Sequence, residues 1–416
     1  MSYDLTTLPG GLRVITEEMT GVRSVAIGCW IDTGTRDELP NEAGASHFLE
    51  HLLFKGSKSL SAQEISEAFD SMGAQANAFT SKEQTCFWAR LLDDDLPRGM
   101  KLLAEMLRRP AFRPDEIDSE RKVVIEEINM NEDDPSDTAH EQFLEALFEG
   151  HSLAHPVLGT RDSITSMGRD DLSNYWQRRY NASSTVIALA GSLQHDDVVT
   201  LVGELFEGWE GGDVPHDIGD VPVMPKVRLT ERDTEQANVV VGGRGLTRDD
   251  PRRFADAVMS HILGGGMSSR LFRKIREEKG LAYAVFSFGI RFADTGGWGV
   301  FVGTTPGLTS TALGLISEEL DLMEADGVSE EELTRAKGAL KGSMAISLED
   351  ANSRMTRLGR AEVSGVEHLS TEERIARVEA VTESDVAEVA EQLLTGPRVI
   401  GAVGPLTLEQ LEEHLT

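Results

Sequence analysis

The sequence contains 416 residues, of which 40% are hydrophobic, and it has a formal net charge of −31. This length and composition predict two globular domains with sizeable cores. The charge argues against a nucleic-acid partner, because phosphate binding needs basic patches and none stands out. It fits a solvated acidic surface, tolerance of salt, or an acidic cavity that attracts basic peptides. No apolar run is long enough to cross a membrane and no secretory signal begins the sequence, so we expect a cytoplasmic protein without membrane contact.

The first half of the chain alternates predicted strands with predicted helices. Period-two patterns predict strands at residues 12–16, 22–33, 74–80, 84–92 and 185–190. Helical periodicity and start signals predict helices at residues 62–72, 95–109, 114–131 and 138–148, and one more on each side of the last strand. Cys29 and Cys86 fall inside two of these strands, so we expect buried thiols rather than a disulfide or a metal role.

The most informative stretch is His47-Phe48-Leu49-Glu50-His51. Residues 41–46 supply a helix start, and the apolar residues around the motif would bury such a helix. On a helix His47, Glu50 and His51 share a face, so the two imidazoles can bind one divalent cation, most often zinc. Glu50 then lies where a carboxylate can accept a proton from water. The order H-x-x-E-H reverses the better-known H-E-x-x-H motif. The surrounding apolar pattern argues against the alternative of two ordinary core or surface histidines.

Two histidines leave a tetrahedral ion short of a protein ligand, and the predicted helix at residues 114–131 offers candidates. Glu120 and Glu127 are seven residues apart on one face of that helix, alongside Val124 and Ile128. A carboxylate on a core-directed face is costly unless a cation receives it. Glu126 points elsewhere and is expected to be solvated.

These motifs resemble the pitrilysin-type (inverzincin, M16) metallopeptidases, in particular the branch of the mitochondrial processing peptidase and its small bacterial relatives. The resemblance rests on H-x-x-E-H, on a glutamate 76 positions after the second histidine, and on another glutamate seven before it. It implies that one zinc ion per chain is bound by three residues, His47, His51 and Glu127. Glu50 would be the general base, and Glu120 would be a supporting acid that orients the site.

The second half of the chain restates the first. Residues 35–38 recur at 247–250, and His51-Leu52-Leu53 recurs as His261-Ile262-Leu263, at offsets of 212 and 210. Two copies of one αβ unit are therefore predicted. Aligning them places three different residues opposite His47, Glu50 and Glu127, namely Ala257, Ser260 and Lys341. The second copy has lost the metal site, and we expect His261 to be packed in a core.

The repeat predicts an α+β fold of two homologous αβ-roll domains, each a mostly antiparallel sheet covered by helices. The expected domains are residues 1–209, which bind zinc, and residues 227–416, a degenerate copy. Residues 210–226 are rich in Gly, Pro and Asp without periodicity, which is typical of a linker.

The degenerate copy contains Gly264-Gly265-Gly266, then Arg276 and Tyr283. The glycines can hold an anion before a helix, but the Lys-Ser/Thr of phosphate loops is missing, so nucleotide binding is not expected. Arg276 and Tyr283 resemble the M16 pair that holds substrate carbonyl groups and stabilises the tetrahedral intermediate. The alternative is a surface arginine and a half-buried strand tyrosine. The glycine-rich segment is short, so no long substrate-sensing loop is expected.

Residues 76–80 resemble the family's edge strand, which would pair with an extended peptide by strand addition through four residues, Asn77, Ala78, Phe79 and Thr80. An interior hairpin strand is the alternative.

These residues together predict a zinc endopeptidase that acts on short or unfolded peptides and needs no other cofactor. The resemblance further implies a homodimer enclosing a chamber, in which Arg276 and Tyr283 of one chain serve the metal site of the other, or else a heteromeric partner chain. The competing hypothesis is a non-catalytic structural or recognition subunit of the same fold, and the complete ligand set argues against it. A metal-dependent hydrolase of another substrate is disfavoured, because the edge strand and the Arg/Tyr pair both suit a peptide backbone.

Overall fold

The computed structural model describes residues 3–212, 219 and 222–415. The chain divides into two compact units. The first unit contains Met1–Ile128, His155–Asp217 and Ala345–Ser370, and the second contains Asn129–Ala154, Ile218–Met344 and Thr371–Thr416. The predicted linker at 210–226 falls partly outside the described residues, at 213–218 and 220–221.

The first unit is built on strands β1 (Asp4–Thr7), β2 (Arg13–Glu18), β3 (Ser24–Ile31), β4 (Gln75–Thr80), β5 (Thr85–Leu92) and β6 (Thr185–Gly191). Among the described residues these strands form one sheet in the order β1-β2-β6-β3-β5-β4. Neighbouring strands are antiparallel except β2 and β6, which run parallel. Strand β4 therefore lies at an edge of the sheet, and β3 lies near its centre.

The helices of the first half are α1 (Ala45–Phe54), α2 (Ala62–Ser71), α3 (Leu96–Arg108), α4 (Pro114–Asp133), α5 (Pro135–Leu147), α6 (Arg161–Ser166), α7 (Arg169–Arg179) and α8 (His195–Leu205). The side chains of β3 alternate between two cores, because successive residues of a strand point to opposite faces. Val25 and Ile27 join the core under α1, α3 and α8, whereas Ala26 and Trp30 face the other side of the sheet.

The second unit repeats this arrangement. Its strands are β7 (Lys226–Glu231), β8 (Ala237–Arg244), β9 (Ala282–Arg291), β10 (Gly296–Thr304) and β11 (Arg398–Gly404). The described residues give the order β7-β11-β8-β10-β9, which matches the order β2-β6-β3-β5-β4 of the first unit. The remaining helices are α9 (Arg253–Gly264), a π-helix (Phe272–Glu278), α10 (Thr309–Asp326), α11 (Glu330–Ser347), α12 (Ala351–Val363), α13 (Thr371–Ala380), α14 (Glu383–Leu394) and α15 (Leu408–Glu412).

Two helices, α5 and α12, exchange places between the halves of the chain. Helix α5 comes from the first half but belongs to the second unit, and α12 comes from the second half but belongs to the first unit. Helix α5, from the first half, buries Phe143 against Val240 and Val399 of the second sheet. Helix α12, from the second half, buries Met355 in the core formed by the outer face of the first sheet. The units therefore differ from the contiguous domains 1–209 and 227–416 that we predicted. The physical reason is that each sheet has two apolar faces, and one of them is covered by a helix from the distant half.

The α+β class, with two mostly antiparallel sheets covered by helices, is confirmed by this architecture. The strands and helices predicted in the first half are present with small shifts at their ends, and β1 was not predicted. Cys29 and Cys86 are free and buried, as expected. Within the described part of the chain, no helix is both long and apolar enough to cross a membrane.

Candidate metal centre

Helix α1 carries the predicted metal-binding motif and begins without a side-chain cap of its own. The residue before it, Gly44, has its backbone in the left-handed region (φ 90°), which favours glycine. The carboxylate of Glu38 replaces the missing cap, because it accepts 2.8 Å hydrogen bonds from the backbone N–H groups of Gly44 and Ser46. Burial raises the pKa of Glu38 to about 8, although these hydrogen bonds oppose the shift. A buried acid outside the helix thus fixes where the helix starts.

Buried hydroxyl groups hold the first turn of α1. Ser46 Oγ lies 2.7 Å from Tyr175 OH, and Tyr175 OH lies 3.2 Å from Thr33 Oγ1. Phe48 and Leu49 follow and are fully buried. Because both polar and apolar faces of this turn are packed, the helix holds its histidines with little freedom to rotate.

Helix α4 presents two of its acidic residues, Glu120 and Glu127, at its buried face. Its buried residues are spaced three and four apart, which is the spacing of a single helix face; they are Ile117, Glu120, Val124 and Ile128. The side chain of Glu127 lies at the rim of this face and is 38% exposed. Glu126 is exposed, as predicted.

Three side chains converge where α1 meets α4. His47 Nε2 lies 3.4 Å from Glu127 Oε2, and His51 Nε2 lies 3.3 Å from the same oxygen. The two Nε2 atoms are 3.3 Å apart. The three atoms therefore form a nearly equilateral triangle. Among the described residues these three side chains form the one cluster of histidines, cysteines and acids with suitable spacing for a metal ion.

The triangle fits a zinc ion. A tetrahedral ion with bonds of about 2.0–2.1 Å keeps its ligand atoms about 3.4 Å apart, which is the separation observed. Burial, with the nearby charge of His51, lowers the pKa of His47 to about 4, so this imidazole is neutral at physiological pH. Lone pairs on three atoms at this separation repel one another unless a proton or a metal cation lies between them. Two imidazoles, one carboxylate and one open position form the ligand set of many catalytic zinc sites.

Glu120 orients one of the two imidazoles. Its Oε2 atom lies 3.2 Å from His51 Nδ1. Its Oε1 atom forms an ion pair with Lys55 Nζ at a distance of 2.9 Å. Glu120 is 4% exposed. A carboxylate opposite Nδ1 places the proton on that nitrogen, so the lone pair of Nε2 is directed to the triangle. Lys55 therefore supplies the positive charge that a buried Glu120 was expected to need, and His51 contributes a hydrogen bond.

Glu50 lies beside the triangle on α1 and is held from the neighbouring strand. Thr80 Oγ1 donates a 2.6 Å hydrogen bond to Glu50 Oε2. Burial raises the pKa of Glu50, and the bond from Thr80 opposes that rise. A carboxylate with an elevated pKa next to a site for water suits proton transfer.

The strand predicted to bind peptide is at the edge of its sheet, because β4 pairs only with β5 among the described strands. Ser81 N donates to Gln84 O at the hairpin turn. In an antiparallel ladder the hydrogen-bonded pairs alternate, so Thr80 and Ala78 direct their backbone N–H and C=O groups away from β5. The N–H of Ala78 accordingly donates to the side chain of the preceding residue, Asn77 Oδ1, at 2.8 Å.

Phe79 faces the opposite side of the sheet from Thr80. Its ring centroid lies 5.5 Å from that of Trp30, edge to face. Phe79 therefore anchors the edge strand to the core beneath α12 and is not directed to the metal site.

Arg276 and Tyr283 are brought together in the second unit. Arg276 lies in the π-helix, and its guanidinium carbon is 4.5 Å from the centroid of the Tyr283 ring. It is also 4.7 Å from the ring of Phe272. Tyr283 stands on the edge strand β9 and is 77% exposed. The pair is thus a cation–π contact between a partly buried arginine and an exposed tyrosine, rather than a surface arginine next to a half-buried tyrosine.

The second unit has no comparable metal cluster among its described residues. On α9, Ser260 Oγ forms a 3.1 Å contact with Ser287 Oγ. Lys341 forms an ion pair with Glu379. Ala257 offers no ligand atom, and His261 is half-buried. The described part of the second unit therefore brings no set of metal ligands together at these positions.

Three contacts of the site were not predicted from the sequence: that of Glu38 with the start of α1, that of Lys55 with Glu120, and that of Thr80, expected only to bind substrate, with Glu50. Lys55 is four residues after His51, so helical spacing was a usable signal for its position. Thr80 and Glu38 are brought to α1 by the fold, and no local pattern connects them to it.

Fold and ligand set together define a two-unit metallopeptidase architecture. The family model described as insulinase (peptidase family M16) matches residues 13–161, and the model described as peptidase M16 inactive domain matches residues 166–340. The chain belongs to peptidase family M16, as the sequence motifs predicted. The first match contains His47, His51 and Glu127, and the second contains Ala257 and Ser260, the residues aligned with His47 and Glu50.

The curated relatives agree with this assignment, and a solved structure shares the fold. An uncharacterized zinc protease of Streptomyces coelicolor is 41% identical over 97% of this chain and 90% of its own length. The uncharacterized zinc protease YmxG of Bacillus subtilis is 38% identical over 96% of this chain and 97% of its own. A protease from Helicobacter pylori has the same fold, with a TM-score of 0.92 and 21% identity over 97% of this chain and 100% of that one.

Proposed function

We propose that the protein is a zinc-dependent endopeptidase that hydrolyses short or unfolded peptides, with one zinc ion per chain bound by His47, His51 and Glu127. The observation that carries this proposal is the triangle of ligand atoms at 3.3–3.4 Å with Glu50 beside it. When bound, zinc would act as a Lewis acid that polarises the scissile carbonyl and promotes ionisation of the attacking water.

Glu50 serves as the general base. Thr80 occupies its Oε2 atom, and within the described residues Oε1 has no hydrogen-bond partner, so Oε1 is the oxygen that faces water. Glu50 accepts the proton of the attacking water and then passes it to the amine that leaves. The elevated pKa of this carboxyl brings it closer to neutral pH, where accepting and returning a proton are both accessible.

The peptide binds as an added strand on β4. The outward N–H and C=O groups of Ala78 and Thr80 pair with its backbone, which explains recognition without a requirement for particular side chains. Asn77 must rotate away from the N–H of Ala78 for this pairing to form. Arg276 and Tyr283 donate hydrogen bonds to substrate carbonyl oxygens and to the developing oxyanion.

The functional form that we propose is a homodimer enclosing a chamber, with Arg276 and Tyr283 of one chain completing the metal site of the other. The support is that this single chain carries both residue sets, so two copies supply two composite sites. An enclosed chamber admits short or unfolded chains. A folded protein cut as fast as its unfolded form would contradict this point.

The composite site is tested by complementation. Zinc content and cleavage of a quenched basic peptide are measured for the wild type, Glu50→Gln, Arg276→Ala, and an equimolar mixture of the two variants. We expect both variants to retain zinc and lose activity, and the mixture to recover about a quarter of it, since random pairing leaves one intact site in half of the dimers.

The other outcomes separate the competing hypotheses. If wild type binds zinc but cuts only after a second protein is added, the partner is a different chain. If wild type binds no zinc, the ligand assignment is wrong and the non-catalytic subunit becomes the better hypothesis.

A further inference from the structure

The residue that connects the peptide-binding edge to the base is Thr80, the last residue of β4. Its side chain is directed to α1 and donates a 2.6 Å hydrogen bond to Glu50 Oε2. Thr80 is paired with Thr85 of β5 without backbone hydrogen bonds between them, so the N–H and C=O groups of Thr80 point away from β5. One residue therefore has its hydroxyl on the general base and its amide on the open edge of the sheet.

Glu50 needs such a contact. A glutamate on a helix has three side-chain torsions, and one hydrogen bond removes much of that freedom. Thr80 is the one hydrogen-bond partner of Glu50 among the residues that the structure describes.

We propose that Thr80 is a positioning residue that holds Glu50 in place from the end of the peptide-binding strand β4. The proposal rests on the endopeptidase function proposed above. The hydroxyl of Thr80 fixes the orientation of Glu50 Oε2 whether or not a peptide is paired with the edge. The opposite oxygen, Oε1, remains directed to the attacking water.

The matched variants are Thr80→Val, which keeps the shape and removes the hydroxyl, and Thr80→Ser, which keeps the hydroxyl and removes the methyl group. The control is Thr6→Val. Thr6 lies on the opposite edge strand of the same sheet and donates or accepts a comparable 2.8 Å hydrogen bond with His195. It is remote in chain order from the metal-site residues and takes no part in the proposed chemistry.

We expect Thr80→Val to bind a full complement of zinc, to lower kcat by about 10- to 100-fold, and to change KM by less than about twofold. Thr80→Ser should restore kcat to within about threefold of wild type, and Thr6→Val should match wild type. Affinity for a peptide with an uncleavable bond, measured by fluorescence anisotropy on zinc-loaded protein, should be unchanged in Thr80→Val, because the backbone of the edge is intact.

Two results would overturn the positioning role. One is a wild-type kcat in Thr80→Val, and the other is a Thr80→Ser variant as impaired as Thr80→Val, which would assign the effect to packing. A loss of peptide affinity without a loss of kcat would make Thr80 a binding residue only. Failure of the endopeptidase proposal is distinct, because wild type and Thr6→Val would then cut no peptide at all.

Discussion

Helices α1 and α9 occupy corresponding places in the two units. Helix α1 follows β3 in the chain, and α9 follows β8, the equivalent strand of the second sheet. Their buried apolar residues correspond at an offset of 210, with Phe48, Leu49, Leu52 and Leu53 matched by Val258, Met259, Ile262 and Leu263. The polar residues between them differ, since His47 and Glu50 are matched by Ala257 and Ser260. The fold thus depends on the apolar positions, while the metal site depends on positions that the fold leaves free.

The two edge strands are also attached to these helices by different chemistry. Both hairpins have the same turn, with 2.8 Å bonds from Ser81 N to Gln84 O and from Phe292 N to Thr295 O. Thr80 and Arg291, each the residue just before the turn, are therefore at equivalent positions of the two edge strands. Thr80 hydrogen-bonds Glu50, the proposed general base, whereas Arg291 forms an ion pair with Asp256 on α9. Both units thus attach the end of the edge strand to a carboxylate on this helix, but Asp256 is at the position of Ser46 and not at that of Glu50.

The largest difference between the two units is expected in zinc content when the equivalent histidines, His51 and His261, are replaced. His51→Ala removes one ligand, so bound zinc should fall from about one ion per chain to background, with loss of peptide cleavage. His261→Ala should leave both unchanged. The measurement is zinc by plasma mass spectrometry on protein purified without added metal. Equal zinc contents in the two variants would show that the ligands lie elsewhere.

A smaller effect is expected from the acid that orients His51. Glu120→Gln removes the carboxylate opposite Nδ1 and should weaken zinc binding by roughly 10- to 100-fold. Glu126→Gln, on the exposed face of the same helix, is the control and should bind zinc as wild type does. Competition with a chromogenic chelator measures both affinities. Indistinguishable dissociation constants for the two variants would remove Glu120 from the site.

The smallest expected effect is on the pH dependence of the free energy of unfolding, and it comes from the acids near the starts of α1 and α9. The pKa of Glu38 is raised from 4.5 to about 8 by burial, so between these values the folded state holds a proton that the unfolded state releases. The free energy of unfolding therefore falls as pH rises through this range. Glu38→Gln removes the slope, and relative to wild type it should gain about 1–3 kcal/mol between pH 5 and pH 8.

The matched control for Glu38 is Asp250 at an offset of 212. Hydrogen bonds from Arg252 lower the pKa of Asp250, so it titrates below this range and Asp250→Asn should leave the slope unchanged. Urea unfolding at several pH values gives the measurement. A pH dependence of Glu38→Gln parallel to that of wild type would show that Glu38 keeps its charge in the folded state.

The sequence was sufficient to predict which residues share a face of the same helix. The spacing of His47, Glu50 and His51 on a helix, and the placement of Glu120 and Glu127 on one face, follow from helical periodicity alone. The resemblance to M16 peptidases then assigned Glu127 as the expected ligand and Glu120 as the expected supporting acid. The repeat aligned α1 with α9, because insertions between the copies are few over these segments.

The nonlocal parts could not be predicted in this way. The periodicity of α5 and α12 shows that each has an apolar face but does not show which sheet that face covers. The contacts of Glu38 and Thr80 with α1 depend on how a turn and an edge strand pack against the helix, and neither residue type is unusual for its position. Lys55 was within reach of helical spacing and was overlooked.

The central claim is that peptide hydrolysis depends on α1 and that α9 retains only the fold. It is tested most directly by kcat/KM for zinc-loaded Glu50→Gln and Ser260→Ala, the equivalent positions of the two units, on one quenched peptide. The account predicts a loss of at least about 100-fold for Glu50→Gln and a value within about twofold of wild type for Ser260→Ala. Wild-type activity in zinc-loaded Glu50→Gln would contradict it.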